Sequence, residues 1–418
     1  MKRLLQVFIV SGFCTLVVFG IHFIFPSMIT YFRANFSLSL DAIGTEYLEE
    51  TVRYHHAHEV YARRPITSLL VINAVKHFDL SYAWAFIGIN FFLLFVCGYL
   101  VYILARSYSF SHNIGLFSIC TFFASYTILL AFFSGIYTYD EPIQYLALFS
   151  ALIFLEKKLW WFFGFSLFIS LLARETSALL FPSFFFILAG FSYVRKKQWK
   201  NLIHIFLVLI VPLFLYAATL FFILTNQGLL EKSGQYVLER RFIYLPFNFQ
   251  SFQYTLEVFV LLFVVILFPL FIAYQSIDTI MADKSQKKAL KATLLALAIN
   301  TPIVFIGTRA REARLLALPL VFLWSLMGSL IHQSLQKFVF DLKKVLPWFS
   351  HRKLRSALWI LLLLFLTLFL AFFSFHVYKP TLGGNSDFGF RAYLFVILVY
   401  VTFSYLLPVV QKNVSSYE

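Results

Sequence analysis

The chain has 418 residues, of which 61% are apolar, 20% aromatic and 13% charged, and it carries a net charge of +15. Soluble globular domains hold about 25% charged residues, so this composition excludes a soluble fold and specifies an integral membrane protein. The basic residues lie in short loops between apolar runs, where they serve as an orientation signal, which sets nucleic acid aside as a partner despite a pI of 9.6.

The first apolar stretch, Leu4 to Met28, follows Met1, Lys2 and Arg3. Its roughly 25 residues suffice to span a bilayer and no small-residue cleavage motif closes it, so it reads as a retained first helix with a cytoplasmic N-terminus. A first outer loop over residues 30–66 follows, rich in Asp41, Glu46, Glu49, Glu50 and Glu59. Within it, Leu40 to Ala62 lack proline and read as a helix lying along the membrane surface behind a Ser/Asp cap. Helical spacing puts Glu46 in register with Glu50, and Glu46 or Glu49 within reach of Arg53. The run His55, His56, Ala57, His58 lacks the four-residue separation that lets one helical face hold a metal. No metal ligand is therefore assigned, and no cofactor is required. A divalent cation held by carboxylates and a substrate phosphate stays compatible with this composition.

The second span, Tyr82 to Leu104, returns to Arg106 on the inside, and the third, Ile114 to Phe133, leads to the short outer segment ending Tyr139, Asp140, Glu141, Pro142. The fourth span ends at Lys157 and Lys158. Between Leu159 and Gly190 stand about 32 apolar residues broken only by Arg174 and Glu175, too many for one span and few for two. Two short helices meeting at the Arg-Glu step satisfy the charge pattern, because Lys158 and the Arg195 cluster both belong inside. A seventh span, Leu202 to Leu224, opens onto an outer loop over residues 225–250 with Arg240 and Arg241. The eighth carries Glu257 two turns in, and the ninth reaches Arg309, Arg311, Glu312 and Arg314. Three more spans, the eleventh over Leu358 to Phe375, bring the C-terminus back to the cytoplasm. The expectation is an all-α, single-domain polytopic protein of about twelve transmembrane helices, with no separate soluble domain. Cys14, Cys97 and Cys120 all fall inside apolar spans, so neither a disulfide framework nor a thiolate metal site is expected.

On this parse 20 Lys/Arg and 5 Asp/Glu lie inside, whereas 14 of each lie outside. The inside cations are mostly Lys, as a topology signal needs only point charge. The outside cations are mostly Arg, which grips phosphate or carboxylate through two parallel hydrogen bonds. Four outer clusters result: the first loop, Asp140 and Glu141 before the fourth span, Arg174 and Glu175, and Arg309 to Arg314. Each also has a plain structural reading, in turn a solvated helix face, a charged helix cap, an Arg-Glu pair closed on itself and a salt-bridge knot. Together they supply carboxylates for proton transfer and Arg for a leaving phosphate.

These residues carry a resemblance. An acidic first outer loop with Asp41 to Glu50 and then Arg63, Arg64 and Pro65, an acidic step at Asp140 and Glu141, the step Arg174, Glu175, Thr176, and a late Glu312, Ala313, Arg314 leading to Pro319 resemble the GT-C superfamily of membrane glycosyltransferases. The resemblance covers roughly Met1 to Leu330. It implies a GT-C-like fold, a polyprenyl-phosphate-linked sugar donor, a glycan, lipid or protein acceptor, and chemistry on the outer, periplasmic or lumenal, face of the membrane; the compactness of the chain points to a bacterial inner membrane, with the endoplasmic reticulum as the alternative. It further implies a first-loop carboxylate as general base, Asp41 or Glu46. The paired acids of that family are absent here, since Asp41 stands alone and the nearest pair is Glu49 and Glu50. Glu49, Arg53, Arg64, Asp140, Glu141, Arg174, Glu175, Arg309, Arg311 and Arg314 would hold the substrates. Two rival readings remain: a polymerase or ligase acting on lipid-linked glycans, and a twelve-helix transporter or flippase, for which related halves and mid-membrane charge are the expected signs.

Overall fold

A computed structural model describes residues 2–24, 45–58, 61–131, 140–195, 199–240, 243–308, 310, 313–351, 362, 364–370 and 387–415. Among the described residues all regular structure is helical. Lipid offers no hydrogen bonds to the backbone, and a helix satisfies its own N–H and C=O groups within the segment. Among the described residues six helices are long and apolar enough to cross a membrane, and a pair bent by 86°, Ala313–Phe322 with Trp324–Lys344, makes seven if it counts as one span. Three shorter apolar helices complete the set. The protein is an integral membrane protein, and Phe13, Phe92, Phe214 and Phe222 expose their rings on the outside of the bundle, where the solvent is hydrocarbon.

In chain order, α1 (Lys2–Ile24) is followed by α2 (Thr45–Ala57), α3 (Pro65–Phe78) and α4 (Tyr82–Ser107). Of the helix expected over Leu40 to Ala62, the part Thr45–Ala57 is helical as α2, while residues 40–44 lie outside the described residues. The helix α3 is a further element in a stretch where none was expected. Pro65 occupies its first turn, where a missing N–H costs nothing, and Asp79 ends it in the left-handed conformation with φ 51°. Next come α5 (His112–Phe123), α6 (Glu141–Glu156), α7 (Trp160–Ala173) and α8 (Phe181–Arg195). The run from Leu159 to Gly190 does divide into two short helices at Arg174, joined by a 3-10 turn over Glu175–Leu180.

The remaining helices include α9 (Trp199–Asn226), α10 (Leu230–Arg240), α11 (Phe252–Leu262), α12 (Phe268–Gln275), α13 (Lys284–Gly307), α14 (Ala313–Ala317), α15 (Trp324–His351) and α16 (Asp387–Ser415), with short helical turns at Tyr244–Asn248 and Ile277–Ala282 between them. The amphipathic α10 lies within residues 225–250, for which the sequence suggests no secondary structure. Most of the expected eleventh span, Leu358 to Phe375, lies outside the described residues.

The centre of the bundle is α6, which is apolar around its whole circumference and buried on nearly all sides. It packs between α4 and α7, while α5 packs along α15. Small residues permit that last approach. A Cβ built on Gly328 of α15 would stand 2.5 Å from the Ser118 backbone nitrogen and 2.6 Å from its Cα, so the two helices touch backbone to backbone. Rigid backbone cannot yield to an added methyl group. Gly328→Ala should therefore lose about 1–3 kcal/mol, the usual cost of overpacking, whereas Gly20→Ala, with nothing within 4 Å, should leave unfolding in detergent micelles unchanged.

Candidate functional site

Four stretches far apart in sequence deliver charged side chains to one buried place. Arg64 stands immediately before α3, Asp140 and Glu141 open α6, Arg174 and Glu175 occupy the break after α7, and Arg314 is in α14. Three guanidinium groups thus meet three carboxylates, and all but Glu175 are buried. Charges out of water persist only when paired and hydrogen-bonded.

The Arg64 guanidinium grips Glu175 with both arms, Nε donating to Oε2 at 2.8 Å and Nη2 to Oε1 at 2.7 Å. Arg174 Nη1 donates to Glu141 Oε1, and Arg314 Nε lies 3.3 Å from the same oxygen. Arg174 and Glu175 therefore do not close on each other, as the simplest reading of adjacent opposite charges would have it. The cause is local backbone geometry. Arg174 is extended, with φ −154° and ψ 126°, between α7 and the 3-10 turn. Successive side chains in extended chain point to opposite sides, so neighbours reach different partners.

Glu141 sits in the first turn of α6 beside Pro142, where the helix dipole favours a carboxylate and a missing proline N–H costs nothing. Asp140 is the residue preceding that helix and is fully buried. Burial pushes its carboxyl up to about 7; the positive charge of Arg64 partly opposes this, the negative charge of Glu141 reinforces it, and Arg174 draws it back down. Both Asp140 oxygens and Glu141 Oε2 are buried without a hydrogen-bond partner among the described residues. Such oxygens are poised to accept from a proton or from the hydroxyl of a bound molecule.

Uncharged residues hold this arrangement in place. Gln144 Nε2 donates to Ser177 Oγ at 2.9 Å, and Ser177 Oγ donates in turn to the Ser170 carbonyl at 2.9 Å, which ties the 3-10 turn to α6 and α7. Asn248 clamps the segment that leads to Arg314. Its Nδ2 donates to the carbonyls of Phe305 at 2.9 Å and Thr308 at 3.0 Å, and its Oδ1 accepts from the Ala310 N–H at 3.0 Å. Asn300 Nδ2 adds a bond to the Leu315 carbonyl at 3.0 Å. Reading for charge passes over all of these residues. A buried amide in apolar surroundings is the signal that could have found them.

Not every expected site residue joins the network. Glu49 and Arg53 pair with each other one turn apart on α2, and Arg53 is largely exposed. Among the described residues no ion pair links them to the buried network. Glu257 is buried on α11, which packs against α14. Asp41, Arg309 and Arg311 lie outside the described residues, as does the side chain of Glu46, whose backbone is in α2.

Beside the network opens an apolar crevice of about 390 Å³, bordered by Tyr126, Val265, Pro269, Trp324, Met327 and Tyr393. Two π-helical turns, Thr127–Ala131 and Phe263–Leu267, line it, and α14 with its Arg314 packs against both. Turns of this kind interrupt a helix and frequently mark functional sites. Tyr145, one turn along α6 from Glu141, adjoins Trp324 and bridges network and crevice.

No protein-family model, curated protein or solved structure matches this chain. The site's character therefore rests on its own chemistry.

Glu141 neutralises two guanidinium groups inside the bundle, so its removal strands both. Glu141→Gln should destabilise the protein by about 3–5 kcal/mol, the range for breaking a buried pair. Arg53→Ala, breaking an exposed pair, should cost no more than about 1 kcal/mol. Thermal unfolding of the purified variants in micelles measures both.

Proposed function

We propose that this chain is a GT-C-type membrane glycosyltransferase of about twelve transmembrane segments. It would transfer a sugar from a polyprenyl-phosphate donor to an acceptor on the periplasmic face of a bacterial inner membrane, with both termini in the cytoplasm. The observation that carries this reading is the convergence of Arg64, Asp140, Glu141, Arg174, Glu175 and Arg314 beside an apolar crevice. A donor of that class needs both features at once, a hydrocarbon-lined place for its tail and cations for its phosphate.

In this proposal the polyprenyl tail lies in the crevice and places the donor phosphate near Arg314 and Arg174, with Arg309 and Arg311 on the same segment. The acceptor hydroxyl attacks the anomeric carbon while the bond from that carbon to the phosphate oxygen breaks. The hydroxyl proton passes to a carboxylate of the first loop, Asp41 or Glu46, and the polyprenyl phosphate leaves with the bonding electron pair. Direct displacement inverts the anomeric centre. The guanidinium groups stabilise the charge growing on the leaving phosphate, and a site closed to water makes that stabilisation large. Asp140 acts as a positioning residue, since its ionised carboxylate adds negative charge beside Arg64 and Arg174, which Glu175 and Glu141 grip.

Purified protein incubated with radiolabelled polyprenyl-phosphate sugars and a panel of acceptors tests the proposal. Arg314→Ala should lower kcat by about 10²–10³-fold, as expected for a removed charge stabiliser. Of Asp41→Asn and Glu46→Gln, the change that removes the base should lower it by about 10²–10⁴-fold. Wild-type activity untouched by all three changes, or movement of an intact substrate without transfer, would sink the reading.

The pH profile supplies a separate check. Asp140 adds charge beside Arg64 and Arg174 only when ionised, and burial raises its carboxyl to about 7. Transfer should therefore rise as pH increases through about 7, and Asp140→Asn should flatten that limb.

A further inference from the structure

The helix α6 has a charged network at its first residue and a second polar cavity at its last. This cavity, of about 320 Å³, lies between the end of α6, the start of α7, the second half of α8 and the start of α13. Its volume falls in the range of small-ligand sites, about 300–1,000 Å³. Tyr108, Glu156, Lys158, Ser285 and Lys288 form its polar part, while Leu155, Trp160, Ile187 and Phe322 are among its walls. It lies among the Lys-rich loops, at the opposite end of α6 from the charged network.

We propose that this cavity binds a membrane glycerophospholipid whose headgroup carries both a phosphate and an ammonium group. Each part of the lining matches a part of that molecule. Lys158 and Lys288 supply two cations for the phosphate, and Ser285 adds a hydroxyl in the first turn of α13, where the helix dipole also favours an anion. Glu156 is the complement of the ammonium group. A headgroup with negative charge alone would leave Glu156 facing like charge. Free phosphate would leave the leucine, isoleucine and aromatic walls uncovered, whereas the glycerol end of the acyl chains covers them. Trp160 is the residue type that settles at the headgroup level of a bilayer.

The backbone explains how Lys158 is placed. The end of α6 is a Schellman turn, in which the Leu159 N–H bonds the Phe154 carbonyl at 2.9 Å and the Lys158 N–H bonds the Leu155 carbonyl at 3.1 Å. The residue at its left-handed position is Lys158, with φ 57°. Glycine is the usual occupant, because any other side chain is strained there. The turn therefore sets Lys158 at the rim of the cavity, directly before the start of α7.

The full-length protein in detergent micelles, titrated with phosphatidylethanolamine or phosphatidylglycerol and read by native mass spectrometry, tests the site. Wild type should retain the ethanolamine lipid about tenfold more strongly than the glycerol lipid, a difference of about 1.4 kcal/mol. Lys158→Gly combined with Lys288→Ala should lower retention of both at least tenfold. Glu156→Gln should erase the preference between them. Lys158→Gly suits the left-handed backbone, so an unchanged or raised unfolding midpoint separates loss of the site from loss of the fold. Equal retention of the two lipids by wild type, retention unaffected by the lysine changes, or displacement by an equimolar amount of inorganic phosphate would each overturn the proposal. The readout needs no transfer activity, so failure here leaves the glycosyltransferase reading untouched and the converse holds as well.

Discussion

The structure around the site depends on a single carboxylate, Glu141, held between Arg174 and Arg314 inside the bundle. A buried charge is tolerable only with its partners in place, so this one residue obliges three separate segments to meet. The α7 helix must end where it does to present Arg174. The segment following α13 must be clamped, by Asn248 and Asn300, so that Arg314 arrives on the same oxygen. The start of α6 must then be the meeting point, and most of α6 is accordingly buried within the bundle.

Around this constraint the helices are irregular. Full-length spans form much of the bundle, but the elements next to the network are short or interrupted: α5 with the π turn after it, α7 and α8 separated at Arg174, the π turn between α11 and α12, and the 86° bend after α14. Interrupted helices expose backbone groups, and a membrane tolerates them only where protein encloses them. Their concentration at one place separates scaffold from site. The long helices hold the protein in lipid, and the broken ones place the charges.

The two ends of α6 divide the chemistry. At the first turn, paired Arg and carboxylates are buried and fixed by hydrogen bonds. At the last, Lys and Glu are exposed around a cavity of mixed character. That division follows the side chains themselves. Guanidinium forks can be desolvated against carboxylates with two aligned bonds, whereas a lysine ammonium keeps its hydration and stays at the surface.

Much of this was legible in the sequence. Composition alone required a helical membrane protein, the break at Arg174 and Glu175 followed from span length, and the proline after Glu141 marked the start of α6. Arg64, Asp140, Glu141, Arg174, Glu175 and Arg314 could be picked out one by one, because charge in apolar surroundings is costly. The partners could not. Adjacent Arg174 and Glu175 bind different residues because the backbone between them is extended, and no spacing rule reports that Glu141 will share its oxygen with Arg174 and Arg314. Asn248, Asn300 and Gln144 carry no charge, and what they hold becomes visible only with their partners around them. Sequence by itself determined the solvent, the element type and the residues that had to be paired, because those follow from transfer energies of single side chains. Only the tertiary structure decided who pairs with whom, because that depends on distances between segments far apart along the chain.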